Sequence, residues 1–444
     1  MSPRRRQSAA GARKPTTEEK KPGASVGGDD GAIAVRMYRV GFGDCFLVSL
    51  PVAGTERRHI LVDCGVHSRG DIGSLGQVVA DVVSVTGRRL AAVIATHAHQ
   101  DHIAGFDRFG AEFERFHIGE VWLPWTWDPT DPTAVRLQRK HAAVAQGLAA
   151  HYAALAPAVS RRADVAAAAA AVSNLHGNAH AIAELRRGFG GGARVRFLKA
   201  GDTLADAAGV TGLSLKVLGP PQSETFLAQV DPPASQHYLR AAAAEAADIR
   251  QIKPFSKRWT LGKRELATLG ARLSPGDTKE LDDATDVSTE ELAFSLDKAR
   301  NNESLVTLLT YRGQSLLFPG DAQYGNWRWW LENEEPEQIL PEINFLKVAH
   351  HGSVNATPKS ALERMSDGRF AAMVSTQSTP WPSIPRVPLM QRLDEKTAQK
   401  IVRSDWLAVR GAPRPSRSTA PPQPTKLPPG FGEGDLWFDY VLPR

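Results

Sequence analysis

Within six positions the chain offers four side chains that bind metal ions well: His97, His99, Asp101 and His102. Imidazole nitrogen and carboxylate oxygen are the donors that hold zinc, manganese or iron. On an extended turn, alternate residues can aim at one ion while their neighbours aim at another. An ion held in this way turns a bound water into a nucleophile near neutral pH, so the chemistry to expect is metal-assisted hydrolysis. The preceding residues, Ala91 to Ala95, are small or β-branched without polar alternation, which predicts a strand covered on both faces. The ligands then sit just past the carboxyl end of a buried strand, where open α/β architectures place their sites.

A solvated polar turn would explain that stretch if it stood alone. Two further apolar runs, however, also end in ligands. Residues 301–318 read as a β-hairpin around Arg312-Gly313, followed by Gly320-Asp321. A carboxylate delivered there is placed to bridge two cations. The run from Asn344 to Ala349 ends in His350 and His351. Nearer the start, Asp44 follows the turn Gly41-Phe42-Gly43, and Asp63 closes a strand beginning at His59. Both carboxylates suit turn chemistry; Asp63 equally suits the orientation of a metal-bound histidine or water.

Taken in order, Gly41-Phe42-Gly43-Asp44-Cys45, Val62-Asp63-Cys64-Gly65, Thr96-His97-Ala98-His99-Gln100-Asp101-His102, Asn301-Asn302-Glu303-Ser304-Leu305-Val306, Pro319-Gly320-Asp321 and His350-His351-Gly352-Ser353 resemble the metallo-β-lactamase superfamily. Within it they look most like the hydrolase domain of ComEC-type DNA-uptake proteins, whose transmembrane channel region has no counterpart here. The resemblance implies an α/β fold, a four-layer αββα sandwich, with one or two divalent ions, zinc or manganese, as cofactors. It makes His97 and His99 ligands of a first metal, and Asp101 and His102 ligands of a second. Asp321 would bridge them, and His350 would complete the second site. His351 is the alternative ligand, or a catalytic proton donor to the leaving group; Asp101 is the other residue expected at the chemistry. Asp63, Asp44 and Asn302 would stand behind the ligands. Where many superfamily members carry a further histidine for the first metal, this chain has Asn301 and Asn302, a change that favours oxygen-preferring manganese over zinc.

The rest of the chain must position these groups. Of 444 residues, 1–31 form a basic, polar tail that cannot bury a core and is expected to be disordered. Residues 32–444 read as one hydrolase domain with two inserted helical segments, at about 128–190 and 222–300, and a low-complexity loop at 411–430. A helix is expected over 73–87, another over 389–402, and a last strand over 435–441. The first insertion is rich in alanine, a strong helix former. It would lie over the mouth of the site, with Gly190 to Gly192 as a flexible joint at its end. His176 and His180 could face together on a helix turn, although Gly177 weakens it.

Lysine and arginine number 54 against 48 acidic residues, a mild excess that suits an anionic substrate. Single-stranded DNA is the form expected; core packing is the first reading of the tryptophans around Trp122, and Trp125 or Trp127 stacking an unpaired base is the alternative. Acyl, lactone or thioester hydrolysis, and a non-catalytic metal-binding scaffold, are the competing functions. Cys45 and Cys64 lie in apolar runs and suggest buried thiols, not a disulfide scaffold. No signal peptide and no apolar run near the ~18 residues of a membrane span is apparent, so a cytoplasmic location is expected. Protein partners are not indicated.

Overall fold

In the computed structural model, residues 31–67, 72–155, 157–175, 178–238, 289–355, 357–377, 381, 384–406 and 426–444 are described. The basic tail to residue 30, His176, the stretch 239–288 and most of the low-complexity segment 411–430 lie outside them.

The apolar runs of the sequence become strands, most of them buried on both faces. The first six are β1 (Ala34–Tyr38), β2 (Cys45–Pro51), β3 (Arg57–Cys64), β4 (Arg89–Ile94), β5 (His117–Pro124) and β6 (Arg194–Leu198). Then follow β7 (Thr203–Leu204), β8 (Ser214–Gly219), β9 (Val306–Tyr311), β10 (Gln314–Phe318), β11 (Ile343–Lys347), β12 (Ala371–Val374) and β13 (Ile401–Arg403). The last two are β14 (Phe431–Glu433) and β15 (Trp437–Val441). One sheet has the order β14-β15-β1-β2-β3-β4-β5-β6, and the other β13-β12-β11-β10-β9-β8-β7. In each sheet a parallel half carries the ligand-delivering strands: β3 to β6 in the first, β10 to β13 in the second. The strand from 435–441 expected at the carboxyl end is β15, antiparallel to β1.

The period of two along each strand sorts side chains between two layers. On β2, Phe46 and Val48 face the second sheet and meet Phe318 and Leu316, while Leu47 faces helices. Those helices are α1 (Leu75–Thr86), with Ser74 as its amino-terminal cap and left-handed Gly87 at its end, and α2 (Gln100–Arg108). Between β5 and β6 come α3 (Pro132–Ala154), α4 (Ala163–Leu175) and α5 (Ala179–Arg186). The second insertion ends in α6 (Thr289–Asn301), and the outer face of the second sheet packs on α7 (Tyr324–Asn333) and α8 (Val387–Lys396). The order of layers is helix, sheet, sheet, helix, as expected.

The described helices of the two insertions pack together. Ala145 and Leu148 of α3, Ala168 and Val172 of α4, and Ala293 and Leu296 of α6 share a buried cluster. Asp131 starts α3 by accepting from the amides of Thr133 and Ala134, with Pro132 at the first helical position.

One expectation changes. The helix expected over 389–402 stops at Lys396, because Ala398 and Gln399 adopt left-handed backbone and β-branched Ile401 and Val402 enter β13. Just before the glycines 190–192, Phe189 buries its ring against Phe106 and Phe113. The tryptophans are core: Trp122 lies between the sheets, Trp127 beneath the helices, and Trp125 against Ala134 and Leu227. Neither Trp125 nor Trp127 is free to stack a base, because burying an indole is worth more to the fold than exposing it.

Candidate metal centre

Every segment that carries a candidate ligand runs to the same end of the paired sheets. Asp63 ends β3, His97 follows β4, Asp321 follows β10, and His351 follows β11. Asp44 precedes β2 and pairs its amide with the Asp101 carbonyl at 2.8 Å. This close approach depends on glycine: a Cβ on Gly65 would lie 2.3 Å from the His102 amide nitrogen.

The backbone is bent to aim these groups. Asp63, His350 and His351 all have positive φ, at 56°, 45° and 53°. Left-handed backbone in such residues costs about 1–3 kcal/mol each and persists where function holds it in place. The bend at His350-His351-Gly352 turns the His351 ring inward against Phe42, with centroids 4.1 Å apart.

Asp101, His102, Asp321 and His351 each place one donor atom within 4.8 Å of all the others, and all four are buried. His351 Nε2 is 3.2 Å from Asp101 Oδ2 and 3.3 Å from Asp321 Oδ2, and His102 Nε2 is 3.2 Å from Asp321 Oδ2. Ligands held at ~2.0–2.1 Å by a tetrahedral ion are about 3.3 Å apart, so the donor set fits a zinc-sized cation. Its orientation is fixed from behind. His351 Nδ1 donates to the Ser375 carbonyl at 2.7 Å, and His102 Nδ1 faces Asp63 Oδ2 at 2.7 Å. Both Nε2 atoms are thereby turned to the cluster. Asp63 also accepts from the amide and hydroxyl of Thr96.

The charges are strongly coupled. Burial opposes a charge on His351, but Asp321 and Asp101 outweigh it and push its pKa up to about 10. Burial likewise opposes charge on Asp101, yet His102 and His351 hold that carboxyl well below its usual range. Two acceptors cannot face each other without a cation between them, whether proton or metal. His97 and His99 differ: burial and neighbouring histidines push both down, His99 to about 3. Their Nε2 atoms are buried with no hydrogen-bond partner, as neutral ligands would be before an ion arrives.

Of the two adjacent histidines, His351 joins Asp101 and Asp321, while His350 stands to one side between Asn301 and Asn355. Asp44 and Asp63 lie behind His102, at 3.6 and 2.7 Å from its Nδ1. Asn302 is fully committed to backbone, donating to the carbonyls of Phe226, Leu227 and Gln229 and accepting from the amides of Gln323 and Asn326. It braces the loop and has no atom left for a metal. His180 is exposed and pairs with Asp107, away from the cluster.

Four contributors were not read from the sequence. Lys347 Nζ is buried beside Asp44 and Asp321. Asn174, on α4, donates to Asp101 Oδ1 at 2.8 Å and accepts from the Asp101 amide; Asn178 donates to the Ala98 carbonyl. Asp297, on α6, stands 3.6 Å from His99 Nε2, and burial together with Asp101 and Asp321 raises its pKa well above the usual carboxylate range. The signal for Lys347 was a lysine closing an apolar strand two residues before a ligand turn. Nothing local marked Asn174 or Asp297.

Residues 38–164 match the metallo-beta-lactamase superfamily. That segment holds Asp44, Asp63 and the candidate ligands from His97 to His102, whereas Lys347, Asp321 and His351 join them through the fold. No curated protein matches the chain. The superfamily match and the converging histidines and aspartates support a metal-dependent hydrolase of this general kind. Among the described residues, no helix is long and apolar enough to cross a membrane.

Proposed function

We propose that the protein is a metal-dependent phosphodiesterase, acting on an anionic ester that enters between the ligand loop and the inserted helices. The observation that carries the reading is the convergence of Asp101, His102, Asp321 and His351 at spacings that suit one divalent ion. A bound ion there supplies Lewis acidity and an activated water. The chain's own groups do the positioning. Asp63 and the Ser375 carbonyl lock the two imidazoles, Asn174 fixes Asp101, and Lys347 offsets the charge of Asp44 and Asp321.

Anion preference is supported by a cavity of about 390 Å³ walled by α3, α5 and α6. Ala98, between the two ligand-loop histidines, lies in its wall, together with His141, Arg186 and Arg300. Glu303 pairs with His141 and Arg300, while the Nε of Arg186 has no hydrogen-bond partner among the described residues. A buried guanidinium donor of this kind suits a phosphate oxygen better than an uncharged lactone or thioester. The likeness to the ComEC-type hydrolase domain supports a nucleic-acid phosphodiester, with single-stranded DNA first among the substrates to try.

The test is cleavage of single-stranded DNA, duplex DNA, a cyclic dinucleotide and bis(p-nitrophenyl) phosphate, against a lactone and thioester panel, under Mn²⁺ and under Zn²⁺. Phosphodiester cleavage that is faster with Mn²⁺ is expected. Turnover confined to acyl substrates would overturn the assignment.

A further inference from the structure

The cavity among α3, α5 and α6 shares a wall with the metal centre but not its charged groups. Asn178, in the cavity wall just before α5, donates to the Ala98 carbonyl at 2.7 Å, and Ala98 itself lines the cavity between His97 and His99. On α6, Leu296 lines it beside Asp297, whose Oδ1 is 3.6 Å from His99 Nε2. Yet none of Asp101, His102, Asp321 and His351 is among the residues that line it. An anion bound in the cavity is therefore not the ester held by those four residues. It is a second group.

The cations of the wall are unequally matched. Arg300 bonds Gln138 and Glu303, and His141 faces Glu303 Oε1 at 3.0 Å, so one buried carboxylate serves both. Arg186, the last residue of α5, is half-buried, and its Nε is shielded from water with no hydrogen-bond partner among the described residues. Burial and the like charge of Arg300 lower its pKa, with Asp128 acting the other way. A guanidinium does not give up its proton in a protein. The unmet donor and its charge are thus a cost that an arriving anion removes. The rest of the wall is mixed: Ala145 and Ile182 offer apolar surface, and Gln146 carries a side-chain amide. About 390 Å³ gives room for one nucleotide-sized group, at the small end of the ~300–1,000 Å³ of ligand pockets. Apolar walls, amides and one unmatched guanidinium suit a hydrogen-bonding ring with a phosphate attached better than a bare inorganic ion.

We propose that this cavity holds a second, uncleaved phosphate-bearing nucleotide of the substrate, and that Arg186 is the residue that selects it. The inference rests on the phosphodiesterase reading and deepens it: the preferred substrate carries a phosphate beyond the scissile one, as an oligonucleotide or a terminally phosphorylated dinucleotide does and a simple diester does not. Arg186 determines specificity without touching the reacting atoms. Since α3 and α5 come from the first insertion and α6 from the second, the two insertions build the pocket together.

The test uses the full-length protein in two assays. In the first, thymidine 5′-monophosphate and 3′-monophosphate are titrated calorimetrically into chelator-stripped protein. Wild type is expected to bind one of them, and Arg186→Met to bind it roughly tenfold more weakly or worse, as the loss of a charge-assisted bond requires. In the second, the thymidine dinucleotide dTpdT and its 5′- and 3′-phosphorylated forms are cleaved under Mn²⁺. Wild type should show a KM roughly tenfold lower for one phosphorylated form than for plain dTpdT. In Arg186→Met the two KM values should converge, and Arg186→Lys should restore part of the gap. Ala142→Trp, which fills the cavity from an exposed position on α3, is the second variant and should close the gap as well. Equal monophosphate binding by wild type and Arg186→Met would overturn the proposal and leave the phosphodiesterase reading intact. So would equal wild-type KM values for the three dinucleotides, which, with monophosphate still bound through Arg186, would make the pocket an effector site. Arg186-dependent binding without cleavage of any phosphodiester would instead overturn the phosphodiesterase reading, and the second-phosphate role with it.

Discussion

Lys347 Nζ donates to Asp321 Oδ1 at 3.0 Å, with both side chains buried. The same ammonium reaches the Gly320 carbonyl at 2.8 Å and Asp44 Oδ2 at 2.5 Å, so its three protons are all used. Burial opposes the charge, but Asp321 and Asp44 hold the lysine pKa above its usual range. Asp321 consequently has one oxygen, Oδ2, left to face His102 and His351. Replacing Lys347 by Met would leave two buried carboxylates without their fixed cation. We expect a loss of about 3–5 kcal/mol in the metal-free protein, the usual cost of breaking a buried pair. Added Mn²⁺ should recover more stability in the variant than in wild type. Denaturant unfolding with and without the ion measures both, and equal midpoints for the two apo proteins would refute the account.

Asn174 lies 73 residues from Asp101 in sequence, yet forms two hydrogen bonds with it. Loss of a group that orients a ligand typically weakens metal binding 10–100-fold. Asn174→Ala should do so while costing only about 1 kcal/mol of stability for the lost bonds. Metal affinity and thermal melting, measured on the same preparation, separate this from general unfolding. A drop in melting temperature without a change in affinity would show that Asn174 is structural only.

The sequence was most readable where one strand delivers its own ligands. His97 to His102 follow β4 directly, and Asp321 follows β10, so local pattern alone locates them. The choice between His350 and His351 was not readable, because it depends on two consecutive left-handed residues that rotate one ring inward and the other toward Asn355. Asn174 and Asp297 were invisible for another reason: an alanine-rich helix and a charged one carry no metal-site pattern, and only their mutual packing brings them to the ligand loop. The tryptophans near the ligand motif read as core first and as a recognition surface second, and the fold uses Trp122 and Trp127 to fill its layers.

Outside the candidate metal centre, Arg36 ties β1 to the neighbouring strand β15 and to α1. Its guanidinium grips Asp439 of β15 through Nε and Nη2 at 2.7 and 2.8 Å, and Asp81 of α1 through Nη1 at 2.7 Å. Tyr38 also donates to Asp81, and the Trp437 ring covers the guanidinium at 3.9 Å. Arg36→Met leaves Asp439 and Asp81 buried without a counter-charge and is expected to cost about 3–5 kcal/mol. Arg36→Lys cannot keep the two-pronged grip and should recover only part of that. Urea midpoints of the three proteins check the order. If Arg36→Met matched wild type, β15 would be held by its backbone ladder to β1 and its apolar contacts without help from the ion pair.

His59 gives a pH dependence that can be isolated from the metal centre. It is 8% exposed on β3, its Nδ1 2.9 Å from the Ser49 hydroxyl. Burial first, then the charges of Arg57 and Arg36, lower its pKa to about 4 from an ordinary value of 6.5. The folded-state pKa lies below the unfolded one, so between these values the unfolded chain binds the extra proton and stability rises with pH. The contribution is fully present above pH ~6.5 and lost as pH falls towards 4; below that both states are protonated and nothing more changes. Each pH unit across this window is worth about 1.4 kcal/mol, so the whole loss is on the order of 3 kcal/mol. Other histidines titrate in the same window, so the informative quantity is the difference between wild type and His59→Gln, which cannot take up that proton. Wild type should lose about 3 kcal/mol relative to the variant between pH 6.5 and 4, read from urea unfolding at half-unit steps. Parallel curves across that window would mean that His59 is protonated as readily in the folded protein as in the unfolded chain.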